Sequence, residues 1–177
     1  QIILALCLVL LLGYALISWF NWPPLNAELL KLRGFCRSCD LTNVNLEAMD
    51  LHGADLYSAI LIGANMQGGR IAAADLTLGR LSGINLTGAD CIGACLAEVD
   101  IEFAILANSD FRDANFHDAD MSGVILDGAN LSGANLQRAN LRGASFQNAL
   151  LYGADLRNAR LGGAILKCAS LKGADLR

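Results

Sequence analysis

Three sets of residues in this chain are of types that do chemistry. The first is the pair in Cys36-Arg-Ser-Cys39. That spacing serves redox exchange or half of a zinc site, but zinc needs four ligands, and neither a second Cys-x-x-Cys nor a His pair accompanies it. The remaining cysteines are Cys7, Cys91, Cys95 and Cys168. The second set is His52 and His117, which stand 65 residues apart with no Ser, Cys or Asp placed to complete a triad. The third is a series of carboxylates, Asp50, Asp55, Asp75, Asp90, Asp100, Asp110 and Asp120, all separated by multiples of five. A period that regular belongs to turn chemistry, in which Asp and Asn side chains bond nearby backbone groups and one another. The glycines recur with the same period, so none forms a separate phosphate-cradling loop. No catalytic, cofactor or metal residue is assigned, and the chain is not expected to be an enzyme or to carry a cofactor.

The elements that position these residues follow from that period. Every fifth residue from Cys36 to Leu176 is apolar, giving 29 central positions of which 20 are Leu and the rest Ile, Met, Phe or Cys. Two residues before each centre, 19 of 29 are Ala, and one residue before it, 17 of 29 are Asp or Asn. The unit is A-(D/N)-L-x-x, with Gly frequent at the last position. A helix would advance about 500° in five residues and scatter the Leu around its cylinder. A flat strand would send successive Leu to opposite faces. All the Leu can point inward only if the chain turns once per pentad, so that four short strands and four corners close a square coil of 20 residues. The central and small positions then face inward and the other three face water. In that register Cys36, Cys39 and Cys91 are inward residues, so they read as small core thiols. A Cys36–Cys39 disulfide remains open, and it would imply an oxidising compartment.

Composition agrees with a repeat plus one other element. The chain has 177 residues, 54% of them apolar, with 18 Gly, only 17% charged residues and a net charge of −4. Disorder is excluded by the low charge, and the balance is far from that of a basic nucleic-acid binder. Ile2–Phe20 is a run of nineteen uncharged residues. As a helix it spans about 28 Å, close to a bilayer core. Trp19, Phe20 and Trp22 stand where an aromatic belt would, and Pro23-Pro24 stops the helix. Residues 1–22 therefore read as a single transmembrane anchor in contact with lipid through residues 2–20. Lys31, Arg33 and Arg37 follow it closely, which favours the cytoplasmic side for the remainder. Residues 23–33 read as a linker and a short capping helix, with Leu25, Leu29 and Leu32 on one stripe.

The pentads closely resemble the pentapeptide-repeat family, from Gly34 to Arg177, and the opening Cys36-Arg-Ser-Cys39-Asp-Leu is similar to that of many members. The resemblance implies an all-β solenoid, a right-handed quadrilateral β-helix of about seven coils over residues 34–177. At one strand spacing per coil its length is about 34 Å. The chain stops in register at Ala174-Asp-Leu-Arg177, and an end-to-end dimer through this end would be similar to some members.

What such a rod does lies on its surface. Charge is uneven: net −10 over residues 34–127 and +5 over 128–177. Positions 20 apart stack, so Asn45, Asn65, Asn85, Ile105, Ile125, Ser145 and Ile165 form one column with Phe103 at the adjoining corner. Phe103, Ile105, Ile125 and Ile165 are the candidate partner surface, together with Ile60 and Ile62 elsewhere on the same side. The leading functional reading is a non-catalytic interaction or scaffold protein, held at a membrane by one helix and docking its rod on a membrane protein complex as an accessory subunit. The alternative, implied by the resemblance, is an acidic DNA-mimic regulator of a nucleic-acid enzyme such as a topoisomerase, motivated by the outward Asp series. The anchor and the basic C-terminal third argue against it, and nucleic acid is not an expected partner.

Overall fold

The computed structural model describes residues 23–177. The transmembrane expectation falls on residues outside this range. Among the described residues no helix is long and apolar enough to cross a membrane.

The pentad register holds throughout. Parallel pairings join residue i to residue i+20, from Phe35↔Asp55 to Asp155↔Asp175. Four columns result, which we number as faces. The first face runs Phe35, Asp55, Asp75, Cys95, Asn115, Asn135, Asp155, Asp175. The second starts at Asp40, the third at Asn45 and the fourth at Asp50. Central and small residues fill the interior, with Phe111 and Phe116 edge-to-face at 5.1 Å.

Each residue type in the pentad follows from where its amide goes, because a buried or walled-in donor left unpaired is costly. Residues 86–90 illustrate it. The Leu86 amide donates to Ile105 and that of Gly88 to Ala107, both in the next coil. Asp90 donates back to Gly69, and Ala89 closes a turn onto Leu86 at 3.0 Å. The fifth amide, Thr87, has no backbone acceptor and donates to Asn85 Oδ1 at 3.0 Å. That is why the position before each centre is Asp or Asn. Sixteen of the 17 such residues accept the amide two residues on. Neighbouring copies also bond between coils, as Asn85→Asn65→Asn45 and Asn135→Asn115 do. The second corner residue has positive φ in every pentad, 28 in all, as the third residue of a type II turn demands. Thirteen of these are Gly.

The N-terminal end is closed by α1 (Pro23–Arg33). Of the expected stripe, Leu29 is half-buried and Leu32 is exposed, whereas Asn26, Ala27 and Leu30 face the rod. The reason is the open first coil. Its Asp40 carbonyl has no preceding coil to serve, and Asn26 Nδ2 donates to it at 2.7 Å. Gly34, at φ +67°, donates to Leu30 O and ends the helix. The thiol expectation for the opening pair is also corrected, since Cys36 and Cys39 form a disulfide. The corner between a centre and the next small residue brings their Cα atoms to 5.5 Å, within the range a disulfide spans.

Candidate docking face

Among the described residues, the two His and the free Cys are not brought together. His52 projects from the first coil into solvent. His117, three coils on, lies with Nε2 2.9 Å from Asp118 Oδ2, and Arg138 Nε is 2.9 Å from the other oxygen of that carboxylate. Cys91 is inside the rod, and burial pushes its thiol well above the ordinary range. Cys95 Sγ sits 3.1 Å from Thr77 Oγ1, and Cys168 is exposed on the last coil.

The outward carboxylates serve their own chain. Asp50, Asp55, Asp75, Asp90, Asp100, Asp110 and Asp120 each accept the amide two residues ahead. Several are also neutralised. Arg70 lies 3.4 Å from Asp50 and 3.6 Å from Asp90, and Arg37 is 2.6 Å from Asp55. Partial burial raises the Asp110 carboxyl, but hydrogen bonds from Arg112 outweigh this and leave it below the usual range. Hydrogen bonding by Arg157 lowers Asp155, and that by Arg177 holds Asp175 down to about 2. A series so engaged is a structural ladder with a reduced field, which weakens it as a mimic of a phosphate backbone.

The third face departs from this pattern. Its first three outward residues are Asn45, Asn65 and Asn85, then Ile105 and Ile125 replace the acceptor. The amides of Ala107 and Asp127 thereby lose the side-chain oxygen that serves the equivalent position elsewhere. Where Ser145 follows, Asp127 reaches across one coil and accepts the Gln147 amide at 3.0 Å. Phe103, at the corner beside Ile105, is 67% exposed and has φ +56°. Its column is otherwise Asn43 and Gly63, Gly83, Gly123, Gly143 and Gly163. A bulky side chain in the left-handed region is strained. The ring lies along the rod over Gly123, where a Cβ would come within 2.6 Å of it. Replacing Gly123 with Ala is expected to displace the ring and strain the corner by about 1–2 kcal/mol. A lowered thermal midpoint checks this, with the loss reduced when Phe103 is Asn.

Three deviations thus meet in one place: an aromatic where Gly is favoured, and two Ile where Asn is favoured. Ile165 is exposed on the same face, separated from Ile125 by Ser145. Ile60 and Ile62 are half-buried and lie two coils toward the N-terminus, and the Ile62 column continues as Ser82 and Glu102, so they do not join the patch. The column itself was visible in the sequence. The strain was not, because positive φ at the corner is a property of the closed coil.

Comparisons with known proteins agree with the coil. The family model for pentapeptide repeats matches in eight copies, over residues 39–77, 70–102, 94–133, 129–167 and 144–177. Among solved structures, HetL, a pentapeptide repeat protein involved in heterocyst differentiation regulation from the cyanobacterium Nostoc sp. strain PCC 7120, is 32% identical. That match covers 80% of this chain and 74% of HetL, with a TM-score of 0.49. Rfr23 from the cyanobacterium Cyanothece 51142 is 27% identical over 87% of this chain and 95% of its own, with a TM-score of 0.34. A pentapeptide repeat protein from the Arabidopsis thaliana thylakoid lumen is 29% identical over 62% and 70%, with a TM-score of 0.35. No curated protein matches in sequence. The family model spans most of the chain and coincides with the coil register, so the chain belongs to the pentapeptide-repeat family.

Proposed function

We propose that the chain is a non-catalytic interaction protein, held at a membrane by residues 2–20, whose rod docks on a membrane protein complex through Phe103, Ile105 and Ile125. The observation that carries this reading is the coincidence of strain and exposure on the third face. Local stability is forgone at three adjacent outward positions, and such sites cluster where function requires them. Glu102 and Asp127 border the patch, which suits a protein partner with an apolar centre and a basic rim rather than an anionic lipid surface. The test is purification of the full chain in mild detergent, followed by identification of what accompanies it. The variant Phe103→Asn/Ile105→Asn/Ile125→Asn is expected to lose that companion while keeping the coil spectrum. Undiminished co-purification sinks the proposal.

The side of the membrane is a second part of this reading. The basic residues after the apolar run favour the cytoplasmic side, whereas the Cys36–Cys39 disulfide supports an oxidising one. We place the rod on the oxidising side, because a covalent pair persists only where it is not continually reduced, while the charge signal rests on three residues. Mass spectrometry of protein alkylated before reduction should show Cys36 and Cys39 unmodified. Alkylation of both would return the rod to the reducing side.

A further inference from the structure

Residues 31–35, Lys-Leu-Arg-Gly-Phe, are all exposed, at the junction of α1 and the first coil. Leu32 is 71% and Phe35 50% exposed. This is an apolar pair interleaved with two cations, and it contains no acid. The nearest carboxylate on the helix, Glu28, is held by Lys31 at 2.9 Å.

Helix geometry fixes where Leu32 points. It lies about 200° around α1 from Leu30, whose side chain is fully buried against the rod. Leu32 is therefore on the outer face of the cap, directed away from the coils. Only two residues, Asn21 and Trp22, separate the end of the apolar run at Phe20 from the start of α1 at Pro23. The three Cα–Cα steps from Phe20 to Pro23 reach about 10 Å at most. The headgroup layer on one side of a bilayer is about 5–8 Å thick. On the anchor reading, so short a tether holds the start of α1 close to the headgroup layer.

We propose that this end of the rod is a second membrane contact, in which Leu32 and Phe35 enter the interface of an anionic phospholipid surface and Lys31 and Arg33 meet its headgroups. Amphipathic interfacial segments are built this way, with large apolar residues beside cations that anionic lipid attracts. The contact rests on the anchor reading above and adds to it a defined seating of the cap. The rod is thereby held at a fixed attitude to the membrane instead of swinging on a linker.

The test places a photo-crosslinking residue, p-benzoylphenylalanine, at Leu32, at Phe35 or, as a control, at the exposed Tyr152 in a distant coil. The full chain is reconstituted into phosphatidylcholine–phosphatidylglycerol vesicles, irradiated and analysed for lipid adducts. Carbonate extraction of the same vesicles reports on the anchor separately. Adducts at 32 and 35 but not at 152, reduced by Lys31→Gln/Arg33→Gln or in pure phosphatidylcholine, support the seating. Adducts at 32 and 35 that persist after carbonate strips the protein support the seating and refute the anchor. Carbonate-resistant protein without adducts above the Tyr152 level overturns the seating and leaves the anchor standing. A chain that does not float with vesicles overturns both.

Discussion

Replacing Phe116 with Ala is expected to lower the free energy of unfolding by about 3–5 kcal/mol, the range for a truncated core aromatic. The ring is fully buried and stands edge-to-face against Phe111. Two terms add: the lost transfer energy of the ring, and the cavity left behind. The cavity term is large here because the wall cannot collapse. Around Phe116 the backbone is fixed by axial bonds such as Phe116 N to Asn135 O at 2.7 Å, and by the Ala119 N to Phe116 O turn at 3.1 Å. Moving the wall inward would break these ladders in two neighbouring coils. Guanidinium titration followed by circular dichroism measures the loss. A change below about 1 kcal/mol would mean that the coil relaxes around the void.

The second large effect has the opposite sign. The variant Phe103→Asn/Ile105→Asn/Ile125→Asn is expected to be more stable than the parent by about 1–2 kcal/mol, although it loses three large apolar side chains. Asn tolerates the left-handed corner that strains Phe103. At 105 and 125 it restores the side-chain acceptor that serves Thr87 through Asn85 at 3.0 Å. It also extends the ladder of Asn45, Asn65 and Asn85 along the same face. Against this stands the burial lost by the inner part of each Ile, which is why the net gain is modest. A raised thermal midpoint together with loss of the co-purifying partner separates a docking surface from a structural one. A lowered midpoint would identify the patch as packing and remove the argument from strain.

The interior and the columns were legible in the sequence because the backbone repeats with its residues. Leu at the centre and Ala two before it report one inward arc, and stacking at 20 residues follows from four such arcs. The Asp and Asn positions were assigned to turn chemistry from their type and their five-residue period, and the unpaired fifth amide is the physical reason they are needed. Two features were not decided by the sequence, one because it depends on the open first coil and the other because it depends on the closed corner. The face of α1 that seats on the rod is chosen by the Asp40 carbonyl, which needs a donor, so Asn26 is buried and Leu32 is not. Cys36 and Cys39 looked like ordinary inward residues, yet the corner that every pentad makes holds such a pair within reach of a bond. The candidate site was legible as a column but not as a strained one.

The strict pairing of residue i with i+20 makes the rod a measuring device in two coordinates. Ile105 lies three coils beyond Asn45, a height of about 14 Å at one strand spacing per coil. Inserting twenty residues between them would raise the Phe103 patch by about 5 Å and keep its bearing, whereas inserting five would turn it by a quarter of a revolution with little change in height. Whole coils therefore set the distance at which a partner is met, and single pentads set the direction.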